Sequence, residues 1–383
     1  MNDIENKYFA SIYLAIIGDK IGFDDGKRER NYTNELIIVD SSNSWEAEGE
    51  GMSTILIFKF ISEGGINSLN TEILSFSDDT VMHLDTIKGL ISNYTDRDEL
   101  YNIICNNYLE SFKDINYMRD VLLAGRQTIE AIKNISTGVN WRNFIYNKSA
   151  GGNGGLMRTM CIGLAFYHNN SLLKLIESSI MISSITHPNC ISFIGSIISS
   201  LFTSYALRNM NPETWIFELI NLLESEVIDN IVEKIKPSYI EYFKEDKKTY
   251  LYKLATYVET SFEDYNYIIG LSHLRNIYPW KRMHYYYDNF SNNKKVLYPG
   301  AGADDCIIIA YDSLLMSKDN YEKLIYYSMI NIGDSDTIGT VASSWYGALY
   351  GFKNIPINLI NTETEYYKVS KNYSNLLFKK YNS

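Results

Sequence analysis

Apolar residues recur at helical spacing along most of the chain. In residues 7–22, Phe9, Ile12, Tyr13, Ile16 and Ile17 share one helical face, which predicts a buried helix. From Asp78 onward the same period predicts helices near 79–93, 97–112, 118–134, 156–167, 171–185, 190–207, 213–224, 227–235, 239–258, 263–275, 304–316, 319–331, 337–351 and 362–380. Pro188, Pro212, Pro237, Pro279 and Pro356 fall between these runs or at their starts, where a missing N–H costs least. Glu35–Asp40 and Thr54–Ser62 are β-branched and apolar, and they flank a Ser/Gly/Glu-rich stretch. They read as a small hairpin or as a surface insertion near 35–62. No strand signal follows residue 62. Residues 278–302 read as a long irregular connection ending Tyr298-Pro299-Gly300-Ala301-Gly302, and long loops are often binding loops. No internal repeat and no linker is visible. The expected architecture is therefore one compact, multi-helix, all-α domain over residues 1–383.

Composition adds exclusions. The 383 residues are ample for a large core, and a formal net charge of −11 argues against wrapping nucleic acid or docking on anionic lipid. Cys105, Cys161, Cys190 and Cys306 are scattered with no CxxC, so neither a zinc ribbon nor a disulfide scaffold is expected. Reduced thiols in a cytoplasmic protein are the expectation. Asp3 and Glu5 precede a short apolar run, which is not a signal peptide, and no stretch reads as long enough to span a bilayer. A free-standing domain of this kind is expected to be a monomer, and no surface stripe decides the oligomeric state.

The candidate chemistry begins at Ser77-Asp78-Asp79-Thr80, ahead of the amphipathic run Val81-Met82-His83-Leu84. Ser77 reads as an N-cap, with Asp78 and Asp79 in the first turn where the helix dipole favours carboxylates. Alone, such a pair does no more than stabilise a helix end. The same grammar returns at Gly333-Asp334-Ser335-Asp336-Thr337, where Asp334 and Asp336 would face the same way in an extended lead-in. Four carboxylates brought together repel one another unless a hard cation lies between them, and oxygen ligands favour Mg²⁺, Mn²⁺ or Ca²⁺ over zinc.

Between these stretches lies Ala150-Gly151-Gly152-Asn153-Gly154-Gly155, just ahead of Leu156-Met157-Arg158. Glycines admit a close ligand and a helix start favours an anion, so the run reads as a phosphate or diphosphate cradle or as a flexible helix–helix loop. No Lys-Ser/Thr follows and no strand leads in, so it is neither a Walker loop nor a dinucleotide fold. Thr186-His187-Pro188 sits between two helices, where His187 reads as a capping, core or functional residue. Gly18 and Gly22 bracket Asp19, which suggests a helix end or a close helix–helix contact.

Taken together these pieces resemble the ADP-ribosylglycohydrolase family, and within it the ADP-ribosylarginine hydrolases. The resemblance rests on Gly18-Asp19-x-x-Gly22, Ser77-Asp78-Asp79-Thr80-Val81-Met82-His83-Leu84 and Gly151-Gly152-Asn153-Gly154 with Met157-Arg158-x-Met160-Cys161-Ile162-Gly163-Leu164. Thr186-His187, Ala310-Tyr311-Asp312 and Gly333-Asp334-Ser335-Asp336-Thr337 extend it across nearly the whole chain. It implies an all-α fold with two Mg²⁺ ions held by Ser77, Asp78, Asp79, Asp334, Asp336 and Thr337. It implies a ligand site of Gly151, Gly152, Asn153, Gly154, Met157 and His187, with Tyr298, Gly300 and Gly302 against the adenosine or ribose.

The implied reaction is hydrolysis of the N-glycosidic bond of ADP-ribosylated arginine in proteins, releasing ADP-ribose. Another linkage of the serine type, or a non-catalytic ADP-ribose-binding role, is the alternative. Asp78 is the expected base that takes the proton of water, Glu29 a second candidate, and Asp79 a partner for the departing guanidinium. The chain departs from the family pattern at Lys20, Ser192, Asp304 and Asn331-Ile332.

Overall fold

The computed structural model describes residues 3–27, 55–265, 268–271, 279–291 and 298–382. The predicted first helix is α1, Asp3–Phe23. Next come α2, over 55–62, α3, Asp78–Ile91, α4, Arg97–Ser111, α5, Ile115–Asp120, and α6, Arg126–Ser136. Then follow α7, Met160–Ala165, α8, Leu172–Ser184, α9, Cys190–Leu207, α10, Trp215–Glu224, α11, Val227–Ile235, and α12, Ile240–Ser261. A short antiparallel ribbon pairs β1, Phe262–Tyr265, with β2, Ile268–Leu271. The chain closes with α13, Pro279–Phe290, α14, Ala303–Ser317, α15, Tyr321–Ser328, α16, Ser335–Tyr350, and α17, Glu365–Asn382. The architecture is all-α, as the periodicity predicts.

The centre is α9, packed against α7, α8, α12, α14 and α16. It is apolar all round because neighbours surround it. With a mean hydropathy of 1.6 over 18 residues it is long and apolar enough to cross a membrane, contrary to the expectation that no stretch is, yet 94% of it is buried inside the fold. Two of its serines bond back one turn, Ser196 Oγ donating to Ser192 O at 2.8 Å and Ser200 Oγ to Ser196 O at 3.0 Å. Trp345 Nε1 donates to Ser199 O at 3.0 Å and ties α16 to this centre.

The two ends of the sequence meet where α1 lies against α16 and α17. The contact of α1 with α16 is backbone to backbone. A Cβ added at Gly18 would stand 2.2 Å from Gly339 O, and one at Gly22 would stand 2.2 Å from Ser335 O. The motif around Asp19 therefore marks a close helix contact inside α1, not a helix end. This contact sets the start of α16 beside α1, and Asp19 reaches from α1 to the start of α3.

Four expectations need correction. The stretch 54–62 is helical over 55–62, its apolar residues Ile57 and Phe60 falling three apart on the buried side. Glu35–Asp40 lies outside the described residues. The run 118–134 is two helices, broken where Leu123 takes φ +53° ahead of Gly125. The run 263–275 is not a helix: it opens with the β1–β2 ribbon, so a strand pair does follow residue 62. Within the irregular connection, Pro279–Phe290 is a helix. It is held by a buried pair between Arg282 and Asp312, with Tyr257 donating to the other oxygen of Asp312 at 2.7 Å. That partner lies on another element, which no local pattern announces.

Candidate active site

Two helix starts form the acidic wall of one cavity. Ser77 caps α3 in an extended conformation, its Oγ accepting the Asp79 N–H at 3.1 Å. The turn is fixed from beneath by Asp19, which is fully buried. Its carboxylate accepts the Ser77 N–H at 3.0 Å, the Thr80 N–H at 3.0 Å and the Thr80 hydroxyl at 2.5 Å. This holds Asp78 and Asp79 facing the start of α16. There Asp334 takes the N-cap position without capping, and Asp336 is the second helical residue. The expected extended lead-in is thus a helix start, but Asp334 and Asp336 still line the cavity with Asp78, Asp79 and Thr337.

These carboxylates are buried and mutually repulsive. Burial raises the Asp79 carboxyl well above the usual range, and the charges of Asp19, Asp78 and Asp334 raise it further, while the Thr337 hydroxyl opposes them. Asp334 Oδ2 accepts from Asn153 Nδ2 at 3.0 Å. Asp79 Oδ2 and Asp334 Oδ1 are buried with no hydrogen-bond partner, an arrangement that costs free energy unless something positive is bound. Oxygen donors with orphaned lone pairs fit a hard divalent cation. Among the described residues no three His, Cys, Asp or Glu side chains gather as one cluster able to hold an ion. The donors come from the two helix starts instead, which suits ions that complete their shells with water. Ser77, expected as a ligand, does not line the cavity; its hydroxyl is the helix cap.

The opposite wall is built from two loops. Asn153 N–H donates to Ala301 O at 3.1 Å, Ala303 N–H to Gly151 O at 3.0 Å, and Asn153 Nδ2 to Gly300 O at 2.9 Å. The 300–302 loop is held in turn by Asp305, which accepts the N–H groups of Gly300 at 3.0 Å and Gly302 at 2.9 Å. Gly300 has φ +97°, and a Cβ there would stand 2.7 Å from Ile338 Cδ1. Gly152, Asn153, Gly154, Met157 and His187 line the cavity, with Ala301. Gly151, Gly300 and Gly302 stand behind the lining, and Tyr298 packs half-buried against the core. No α-helix begins at the glycines, because Leu156 N–H turns back to Asn153 O at 2.8 Å and α7 starts only at Met160. Gly154 instead makes room for His187: a Cβ there would stand 2.7 Å from its Cε1.

Residues that the sequence reading passed over complete the cavity, whose volume is about 150 Å³. Gly125, Arg126, Gln127 and Thr128 open α6 at its edge, with Ser149 beside them. The first N–H groups of α6 have no partner within the helix and, with the dipole, favour an anion there. The legible signal was Gly125 interrupting a helical pattern. Glu29 lies outside the described residues. Of the departures from the family pattern, Lys20 sits 4.3 Å over the Tyr366 ring, and Asp304 pairs with Lys253 at 2.5 Å; neither lines the cavity. Ser192 is buried with its Oγ 3.2 Å from Ser183 Oγ, and Asn331 bonds the Ser328 carbonyl and the Gly333 N–H.

Comparison with known proteins adds four findings. The family model for ADP-ribosylglycohydrolase matches residues 1–381. A protein of Acanthamoeba polyphaga mimivirus that carries an ADP-ribosyl glycohydrolase name is 29% identical over 368 residues, covering 96% of this chain and 68% of that protein. The ADP-ribosylhydrolase ARH1 of Dictyostelium discoideum is 29% identical over 378 residues, covering 90% of this chain and 87% of that protein. Among solved structures, a chain titled as an ADP-ribosylglycohydrolase-related protein complex superposes with a TM-score of 0.55 at 14% identity. The match covers 98% of this chain and 99% of that one, and it speaks to the fold alone.

Proposed function

The chain belongs to the ADP-ribosylglycohydrolase family, and from that premise we propose that it hydrolyses an ADP-ribosyl linkage, with the N-glycosidic bond of ADP-ribosylated arginine as the substrate. The observation that carries this reading is the cavity itself. Four buried carboxylates from two helix starts face a glycine loop and a helix N-terminus across about 150 Å³. The acidic wall suits the ribose hydroxyls with their cations and a departing guanidinium; the opposite wall suits a diphosphate.

Asp78, Asp79, Asp334 and Asp336, with Thr337, would hold Mg²⁺. When bound, such an ion neutralises the acidic wall and acidifies water in its shell. The protein's own groups do the rest. Asn153 fixes Asp334 and closes the loop wall against the acidic one. Asp78 is the least buried of the four, at 6% exposed against 2–3% for the others, which supports it as the group that meets a water molecule. It accepts the proton as the water oxygen bonds to the anomeric carbon, where oxocarbenium character builds. The glycosidic C–N bond breaks, its electron pair returns to nitrogen, and the proton taken from water passes from Asp78 to that nitrogen, so the arginine leaves as a guanidinium and Asp78 is again a carboxylate. Asp79, in the same wall, pairs with that cation.

The test is release of ADP-ribose from a synthetic ADP-ribosylarginine peptide, with Mg²⁺ and with chelator, for the wild type and Asp78→Asn. Release that needs both the metal and Asp78 is the expected result. Release from a serine-linked peptide alone would reassign the linkage. No release from either by a folded protein would overturn the hydrolase reading.

A further inference from the structure

One buried hydrogen-bond chain reaches the cavity from the core and ends on His187. It starts at Arg158, whose side chain is wholly buried with its guanidinium 4.9 Å from the Tyr108 ring centre. Arg158 Nη2 donates to Ile182 O at 3.0 Å, to Ser183 O at 3.3 Å and to Thr186 Oγ1 at 2.7 Å. A guanidinium can only donate, so Thr186 Oγ1 accepts there and keeps its own hydrogen to give. The atom in reach to receive it is His187 Nδ1, at 2.8 Å.

We propose that Arg158, acting through Thr186, holds His187 as the tautomer protonated on Nε2, a fixed hydrogen-bond donor aimed into the cavity at an acceptor oxygen of the bound ligand. Only the identity of that oxygen, on ADP-ribose, rests on the function proposed above. In the opposite tautomer Nδ1–H would donate to Thr186 Oγ1. The buried Thr186 hydroxyl hydrogen would then meet no acceptor among its hydrogen-bond contacts. Burial, helped by the Arg158 charge, pushes the His187 pKa down to about 3, so the ring carries a single proton at neutral pH and its placement is the remaining choice. The far edge of the ring lies over the glycine loop, where a Cβ on Gly154 would stand 3.1 Å from Nε2. His187 lines the cavity itself, whereas Arg158 and Thr186 do not. They are positioning residues.

The chain has five histidines, so ¹⁵N-histidine labelling gives a tractable spectrum. His187→Gln assigns the resonance. Two-bond ¹H–¹⁵N correlation of the metal-free wild type should show Nε2 protonated and Nδ1 bare. Thr186→Val, which keeps the shape but removes the hydroxyl, should admit the other tautomer and weaken ADP-ribose binding by about tenfold. Thr186→Ser should restore both readouts. Arg158→Met frees the hydroxyl to accept from Nδ1–H and should shift the tautomer in the same direction as Val. A proton on Nδ1 in the wild type, or the same tautomer in wild type and Thr186→Val, would overturn the proposal. A protonated Nε2 that Thr186→Val perturbs, in a protein that fails to bind ADP-ribose, would uphold the relay and count against the functional reading instead.

Discussion

Asp19→Ala should loosen the turn that presents Asp78 and Asp79. In the folded protein Asp19 accepts from the Ser77 N–H, the Thr80 N–H and the Thr80 hydroxyl, and all of these groups are buried. Alanine leaves the two N–H groups without an acceptor, because no intrahelical partner exists in a first turn. Each orphaned buried donor costs about 1–3 kcal/mol, while the hydroxyl can rotate toward another partner. Against this, removing the Asp19 charge relieves Asp79, whose carboxyl it helps to raise. That relief returns about 1 kcal/mol, so the net loss is ~1–5 kcal/mol. Urea unfolding followed by the fluorescence of the five tryptophans reads it as a lower midpoint at unchanged slope. Asp19→Asn keeps one acceptor and should lose about half as much. A midpoint for Asp19→Ala within ~0.5 kcal/mol of wild type would refute the claim that Asp19 anchors this helix start.

Three further outcomes follow from the packing and the charges. Mg²⁺ should raise the thermal midpoint and chelator should reverse it, by about 2.7 kcal/mol at a hundredfold excess over Kd; Asp334→Asn should abolish this response and raise the metal-free midpoint, and an unresponsive wild type would count against a metal site. Gly22→Ala forces a methyl to within 2.2 Å of Ser335 O, so a loss of about 3 kcal/mol or more is expected by calorimetry, and a loss under ~0.5 kcal/mol would contradict the close contact. Burial pushes the Asp85 carboxyl up to about 6. The folded state therefore binds this proton more tightly than the unfolded chain, and the stability it contributes is full below about pH 4 and lost as pH rises through about 6. Asp85→Asn should accordingly gain ~3 kcal/mol at pH 8, from about two units at 1.36 kcal/mol each, and little at pH 3.5. Equal gains at both pH values would dismiss the buried charge as the cause.

The sequence by itself determined what is local. The period of apolar residues announced most of the helices, α9 to the residue, because amphipathic spacing and its end signals lie within a few neighbours. Ser77 as a cap was legible for the same reason, since a cap bonds two residues ahead. The acidic stretches were legible as chemistry only together, since one acidic helix start is ordinary and its recurrence at Asp334 and Asp336 is what marks them.

Only the tertiary structure decided what depends on distant partners. The starts of α3 and α16 stand more than 250 positions apart, and they share a wall because glycines let α1 touch α16 while Asp19 holds α3. That Ser77 caps α3 could be read from its spacing; that it stands behind the cavity lining could not. The stretch 263–275 was expected to be a helix because short apolar runs suit either period until a neighbour settles the matter. The Arg158–Thr186–His187 chain spans two loops and a helix end, and hydrogen bonds of that kind have no period at all. Periodicity carries information about a residue's face; only the packed chain says what that face meets.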